Sequence, residues 1–156
     1  MRISQPLRRT LVDIGGLKPL GAAMIHVFAV RVYYEDTDLA GIVYHANYLK
    51  FIERARTEWV RGLGVDQVRM KGETGLVFAV RRVEADYLRP ARFDDTLQIE
   101  TRMTAISGAR LYLTQEVLRG AERLFAAQLV LVCMTDRGHP ARLPMEIRRI
   151  LAPQVP

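Results

Sequence analysis

Apolar and polar positions begin to alternate at His26, with Val27, Ala29, Arg31 and Tyr33 on one side of an extended chain and Phe28, Val30, Val32 and Tyr34 on the other. A period of two over this length predicts a strand of about nine residues. After a polar loop, Glu35 to Gly41, the period changes. Leu49, Ile52, Ala55 and Trp59 recur at helical spacing, and Tyr48, Phe51 and Ala55 add a second apolar row, so a helix buried on more than one side is expected from about His45 to Arg61. Gly62 or Gly64 supplies its left-handed stop. A looser helical turn is expected over 65–73. Alternation then returns in four long stretches, Leu76 to Leu88, Thr96 to Ile106, Arg110 to Leu118 and Arg123 to Met134. The clearest has Leu97, Ile99, Thr101, Met103 and Ala105 on one face and Gln98, Glu100, Arg102 and Thr104 on the other. Short Gly-containing links, Ser107-Gly108-Ala109 and Arg119-Gly120-Ala121-Glu122, make these neighbours antiparallel hairpins. Pro144 to Leu151 reads as a closing helical turn.

One long helix with a strand before it and four after it is an α+β plan, a helix packed on one face of a five-stranded antiparallel sheet. A single helix cannot cover that sheet. Remaining apolar sheet surface and an open edge strand are therefore expected to meet another copy of the chain, as a dimer or tetramer. Residues 1–24 contain Gly15, Gly16, Pro19 and Gly21, which disfavour helix and strand alike, and read as an extension ahead of a domain at 25–156. The apolar residues of that extension, such as Leu11, Val12, Ile14 and Leu17, are expected to pack on a neighbouring subunit or on the outer sheet face. Asp13, Lys18 and Pro19 interrupt its apolar stretch, so neither a secretory signal nor a membrane span is expected, and the chain reads as cytoplasmic.

At 156 residues the chain can bury an ordinary core without disulfide or metal staples. Its one cysteine, Cys133, reads as a buried small hydrophobe in a reducing compartment. Neither a metal nor a cofactor is called for. The formal charge is +6 and almost wholly arginine, since only Lys18, Lys50 and Lys71 are lysines. Arginine suits bidentate contact with phosphates. The basic residues are scattered rather than striped, so nucleic acid is not the expected partner.

Reactive groups are densest between the first strand and the long helix, in Tyr34-Glu35-Asp36-Thr37-Asp38-Leu39-Ala40-Gly41-Ile42-Val43-Tyr44-His45-Ala46-Asn47-Tyr48. Backbone amides at a helix start, here near Tyr44 and His45, could hold an oxyanion, and an acid beside them such as Asp38 could transfer a proton or attack. The competing structural reading makes Asp36 or Asp38 a cap of the turn or helix.

This stretch, continuing through Leu49-Lys50-Phe51-Ile52-Glu53-Arg54-Ala55-Arg56-Thr57-Glu58-Trp59, closely resembles the hot-dog-fold acyl-CoA thioesterases of the Tol-Pal-associated type, relatives of 4-hydroxybenzoyl-CoA thioesterase. Ala85-Asp86-Tyr87-Leu88-Arg89-Pro90-Ala91 and Asp94-Asp95-Thr96-Leu97 continue the likeness, which spans about 26–140. The resemblance implies a long helix wrapped by the antiparallel sheet, dimers joined edge to edge and often paired into tetramers, and hydrolysis of an acyl-CoA to free acid and CoA. It places the catalytic aspartate at Asp38, with Tyr34 and His45 associated, and the substrate beside Gly41, Tyr44 and His45. Leu39-Ala40 departs from the Ala-Gly of many close relatives, which bears on acyl-chain preference. Acyl carrier protein is an alternative source of the thioester. A non-catalytic acyl-binding or scaffold subunit linked to the cell envelope is the reading from another class.

Overall fold

The computed structural model describes residues 17–20 and 23–156. Its strands are β1 (Leu17–Leu20), β2 (Ala23–Arg31), β3 (Leu76–Tyr87), β4 (Thr96–Ile106), β5 (Arg110–Arg119) and β6 (Glu122–Thr135). Its helices are α1 (Asn47–Gly62), α2 (Gln67–Thr74) and α3 (Met145–Leu151). The five expected strands are present, and β1 adds a short sixth at the margin of an antiparallel sheet ordered β1-β2-β4-β5-β6-β3. β1 pairs with β2 from Leu17 opposite His26 to Leu20 opposite Ala23. Local propensity disfavoured any element there. The open edge of β2 supplies a template, and Pro19 is tolerated because an outermost strand need not use every N–H. Expectations for residues 1–16, including the packing of Leu11, Val12 and Ile14, lie outside the described residues.

α1 packs across β2, β4 and β5. Its buried apolar positions are Tyr48, Phe51, Ile52, Ala55, Trp59 and Val60, whereas Leu49, expected in the apolar row, is exposed. Opposite them lie the inward residues of the strands: Leu97, Ile99 and Met103 on β4, Leu111, Leu113 and Val117 on β5, and Phe125, Leu129 and Leu131 on β6. The alternation of β4 is as the sequence predicts, down to fully buried Thr101. That hydroxyl is satisfied by Gln115, whose Nε2 donates to Thr101 Oγ1 and to the Ile52 carbonyl, both at 2.9 Å. Arg56 Nη1 donates in turn to Gln115 Oε1 at 2.9 Å. Gly62 is the last residue of α1, and Gly64, at φ +84°, is the glycine that makes the left-handed turn.

The outer face of the sheet differs from the apolar surface anticipated. Its centre carries an ion-pair network in which Arg102 meets Glu100 at 2.6 Å and Glu116 at 3.5 Å, and Arg123 meets Glu116 at 2.9 Å. The uncovered apolar surface lies instead along the edge strand β3, where Val80, Val83 and Tyr87 are exposed, together with Leu88 just beyond its end. Among the described residues, no helix is long and apolar enough to cross a membrane.

Candidate active site

The loop from Tyr33 to Ala46 is built on Asp36. Its carboxylate is buried, accepting from the Tyr33 N–H at 2.8 Å through Oδ2 and from Asn47 Nδ2 at 2.9 Å through Oδ1. Its carbonyl accepts the Tyr44 N–H at 2.8 Å. One residue thus ties the loop's beginning to its end and to the first turn of α1. Between these ties the chain reverses sharply. The Asp38 N–H donates to Ile42 O and the Gly41 N–H to Asp38 O, each at 3.0 Å. Asp38 Oδ1 accepts the Ala40 N–H at 2.9 Å, the side-chain turn that aspartate favours. Gly41 sits at φ +73°, a conformation that costs an L side chain strain. The far arm of the reversal is fixed by the Val43 N–H, which donates to Ala91 O at 2.9 Å.

The reversal sets Asp38 and His45 on the wall of one cleft of about 360 Å³, completed by Ile42, Val43, Tyr48, Tyr87, Leu88, Arg89 and Pro90. Walls are mainly apolar or aromatic, with an acid, an imidazole and a guanidinium among them. Tyr48 is buried and stacked on Phe125 at 5.0 Å between centroids, and its hydroxyl accepts the Ala91 N–H at 3.1 Å. Burial pushes that phenol above its ordinary value, so it enters the site as a neutral group.

Other candidates are placed differently. Tyr34 does not line the cleft: it is 79% exposed and stacks on Phe93, centroids 4.2 Å apart and planes within 9°. Gly41 and Tyr44 shape the loop behind the cleft without forming its wall. Leu39 is fully exposed and likewise outside it. The helix starts at Asn47, two residues later than the periodicity suggests, and the Tyr44 amide is committed to Asp36. At the helix start, among the described residues, the N–H groups of His45, Ala46 and Tyr48 have no protein acceptor, and those of His45 and Ala46 belong to the segment that borders the cleft. Sequence reasoning missed Tyr87 and Tyr48 as site residues. Both were visible in the aromatic positions, but nothing in the periodicity distinguishes a cleft wall from a core edge.

A central helix wrapped by an antiparallel sheet, with an acid-bearing reversal feeding the helix start, defines a hot-dog-fold protein. The chain belongs to the thioesterase-like superfamily, whose family model matches residues 32–151. It is 42% identical over 123 residues to the acyl-CoA thioesterase YbgC of Haemophilus influenzae, covering 78% of this chain and 90% of that one. It is likewise 42% identical over 120 residues to the acyl-CoA thioester hydrolase YbgC of Escherichia coli O157:H7, covering 76% and 89%. Among solved structures, a probable thioesterase from Bartonella henselae superposes with a TM-score of 0.73 at 39% identity, over 77% of this chain and 99% of the other.

Proposed function

We propose that the chain is an acyl-CoA thioesterase, releasing a free acid and CoA from an acyl-CoA thioester. The observation that carries the reading is the convergence of Asp38 and His45 on one cleft at the start of α1. The acyl carbonyl would lie against the unpartnered amides of His45 and Ala46, where a helix start favours developing negative charge. Asp38 Oδ1 is held by the Ala40 amide, which aims the carboxylate and leaves Oδ2 to act. As a base, Asp38 takes a proton from water while the water oxygen adds to the carbonyl carbon. Collapse of the tetrahedral adduct breaks the C–S bond, and the CoA thiolate takes up a proton as it leaves. As a nucleophile, the same oxygen would add to the carbonyl carbon, the C–S bond would break with CoA leaving as a thiolate that takes up a proton, and water would then open the mixed anhydride to free acid and the regenerated carboxylate. His45 positions the carboxylate, substrate or water, and the family resemblance adds Tyr34.

Net charge of +6 suits the phosphates of CoA, and it equally suits an acidic acyl carrier protein, so both thioesters belong in the assay. The assembly we propose is a dimer joined through the open, partly apolar edge of β3, with dimers pairing into tetramers. The proposed compartment is the cytoplasm, and residues 1–24 are proposed as an extension to the domain at 25–156, one that adds β1 and the first residues of β2 to the sheet. Thiol release measured over acyl-CoAs from short to long chain, including an aromatic one, tests the activity. Asp38→Asn should lower turnover by about 10³-fold, and His45→Ala by less. Tight acyl-CoA binding without thiol release would instead favour a non-catalytic acyl-binding or Tol-Pal-linked scaffold subunit.

A further inference from the structure

The carbonyl of His45, two residues ahead of the helix start, lacks the partner it would have if α1 began one turn earlier. That partner is the N–H four residues on, but the Leu49 N–H turns instead to Ala46 O at 3.2 Å. The group that meets the carbonyl comes from the last residue of β3. Tyr87 Oη donates to His45 O at 2.9 Å, across 42 residues of sequence. The Tyr87 ring is itself held, T-shaped against Tyr48 at 5.5 Å and Phe125 at 5.1 Å between centroids, and it meets the His45 imidazole at 6.3 Å. Tyr48 and Phe125 are buried, so the ring stands on a rigid base while its hydroxyl reaches the cleft wall it shares with Asp38 and His45.

We propose that Tyr87 is a positioning residue for the hydrolytic site. A peptide unit is planar, so a hydrogen bond on the His45 carbonyl fixes the direction of the Ala46 N–H in the same plane. It also restrains the residue that carries the imidazole. Asp36 tethers this segment through the Tyr44 N–H and the Asn47 side chain, and Tyr87 supplies the tether that Asp36 does not, at His45 itself. Losing it would leave the loop folded and substrate bound while the reacting groups drift. The inference rests on the thioesterase reading for its catalytic consequence, and on geometry alone for the tether.

Tyr87→Phe tests it, because the variant keeps the ring contacts and removes only the hydroxyl. The expected result is a kcat about tenfold lower with KM changed by less than about twofold and Tm within about 1 °C of the parent. Tyr112→Phe, on the face of β5 opposite buried Leu111 and Leu113, should match the parent in all three. A second readout needs no turnover: the ring 13C–1H signal of His45, one of three histidines, assigned by its loss in His45→Asn. In Tyr87→Phe this signal should shift and broaden while that of exposed His139 stays in place. An unchanged His45 signal overturns the proposal, as does a kcat equal to the parent's or a loss matched by a fall in Tm. If the parent releases no thiol from any acyl-CoA, the thioesterase reading falls, and the His45 signal still decides whether Tyr87 holds that residue.

Discussion

Replacing Asp36 by alanine removes the acceptor of two hydrogen bonds and leaves the neighbouring acid, Asp38, untouched. Hydrogen bonds to a charged acceptor contribute about 1.5–3 kcal/mol each. The two donors here are not equal. Tyr33 is exposed, so its N–H can recover a water, whereas Asn47 is 6% exposed and its amide would be stranded. The balance is a loss of about 3 kcal/mol, and at about 2–4 °C per kcal/mol for a chain of this size the melting temperature should fall by about 6–12 °C. Asp36→Asn should be milder, about 1 kcal/mol, because Asn47 can turn its amide and offer the oxygen to the new NH2 group. Asp38→Ala removes only the Ala40 N–H bond at an exposed turn, about 0.5–1 kcal/mol, yet should abolish most thiol release. Calorimetry and thiol release on the same preparations separate the two acids. If Asp36→Ala melts with the parent, or if Asp38→Ala loses stability and keeps turnover, the division of labour drawn from the hydrogen bonds is wrong.

Gln115→Leu should lower stability by about 3 kcal/mol, since it strands Arg56 and Thr101; adding Arg56→Met should then cost less than Arg56→Met alone, read by denaturant titration as a double-mutant cycle. Burial works against ionisation of Asp95, but hydrogen bonds from the Arg92 N–H and Arg119 outweigh it and hold the carboxyl below its ordinary value of 3.8. A depressed folded value means the stabilisation is present above about pH 4 and is lost as pH falls through the folded value. Asp95→Asn should accordingly flatten the acid limb of the stability curve, and an unchanged limb contradicts the assignment. Cys133 is fully buried, and burial pushes its thiol up, so it should resist a thiol reagent at neutral pH until denaturant is added.

Most of the architecture was legible because burial here follows period. β4 alternates with one face against α1 and the other exposed or ion-paired, and such a strand leaves its signature in the residues themselves. What was not legible depends on distant partners. β1 forms because β2 offers an open edge, not because Leu17-Lys18-Pro19-Leu20 favours extension. The outer face of the sheet seemed to need covering when each strand was read alone. The pairing of Glu116 with Arg102 and Arg123 across three strands exists only after the register is set. β3 reads as a long alternating strand whether it lies inside a sheet or at its margin, and only the strand order reveals that its far side is open.

The site shows the same divide at closer range. Asp38 stood out because a helix start preceded by an acid-bearing turn is a local pattern, readable without tertiary structure, whereas the roles expected of Asp38 and His45 came from the family resemblance. Asp36 could be read as a cap of the turn or helix, but the partner it holds, the Asn47 side chain, shows only in the fold. Tyr34 was carried by resemblance alone, and in the single chain it stacks on Phe93 outside the cleft. Phe93 belongs to the turn before β4 and Tyr87 to the end of β3, so both residues flank the segment 88–92, whose Leu88, Arg89 and Pro90 form the cleft's far wall. That wall is anchored by Arg119, which donates to Pro90 O at 3.3 Å and to Asp95 at 2.7 Å from the end of β5. The loop carries the groups proposed to react, but the geometry around them is set by the end of β3 and the turn after it, more than forty residues away in sequence.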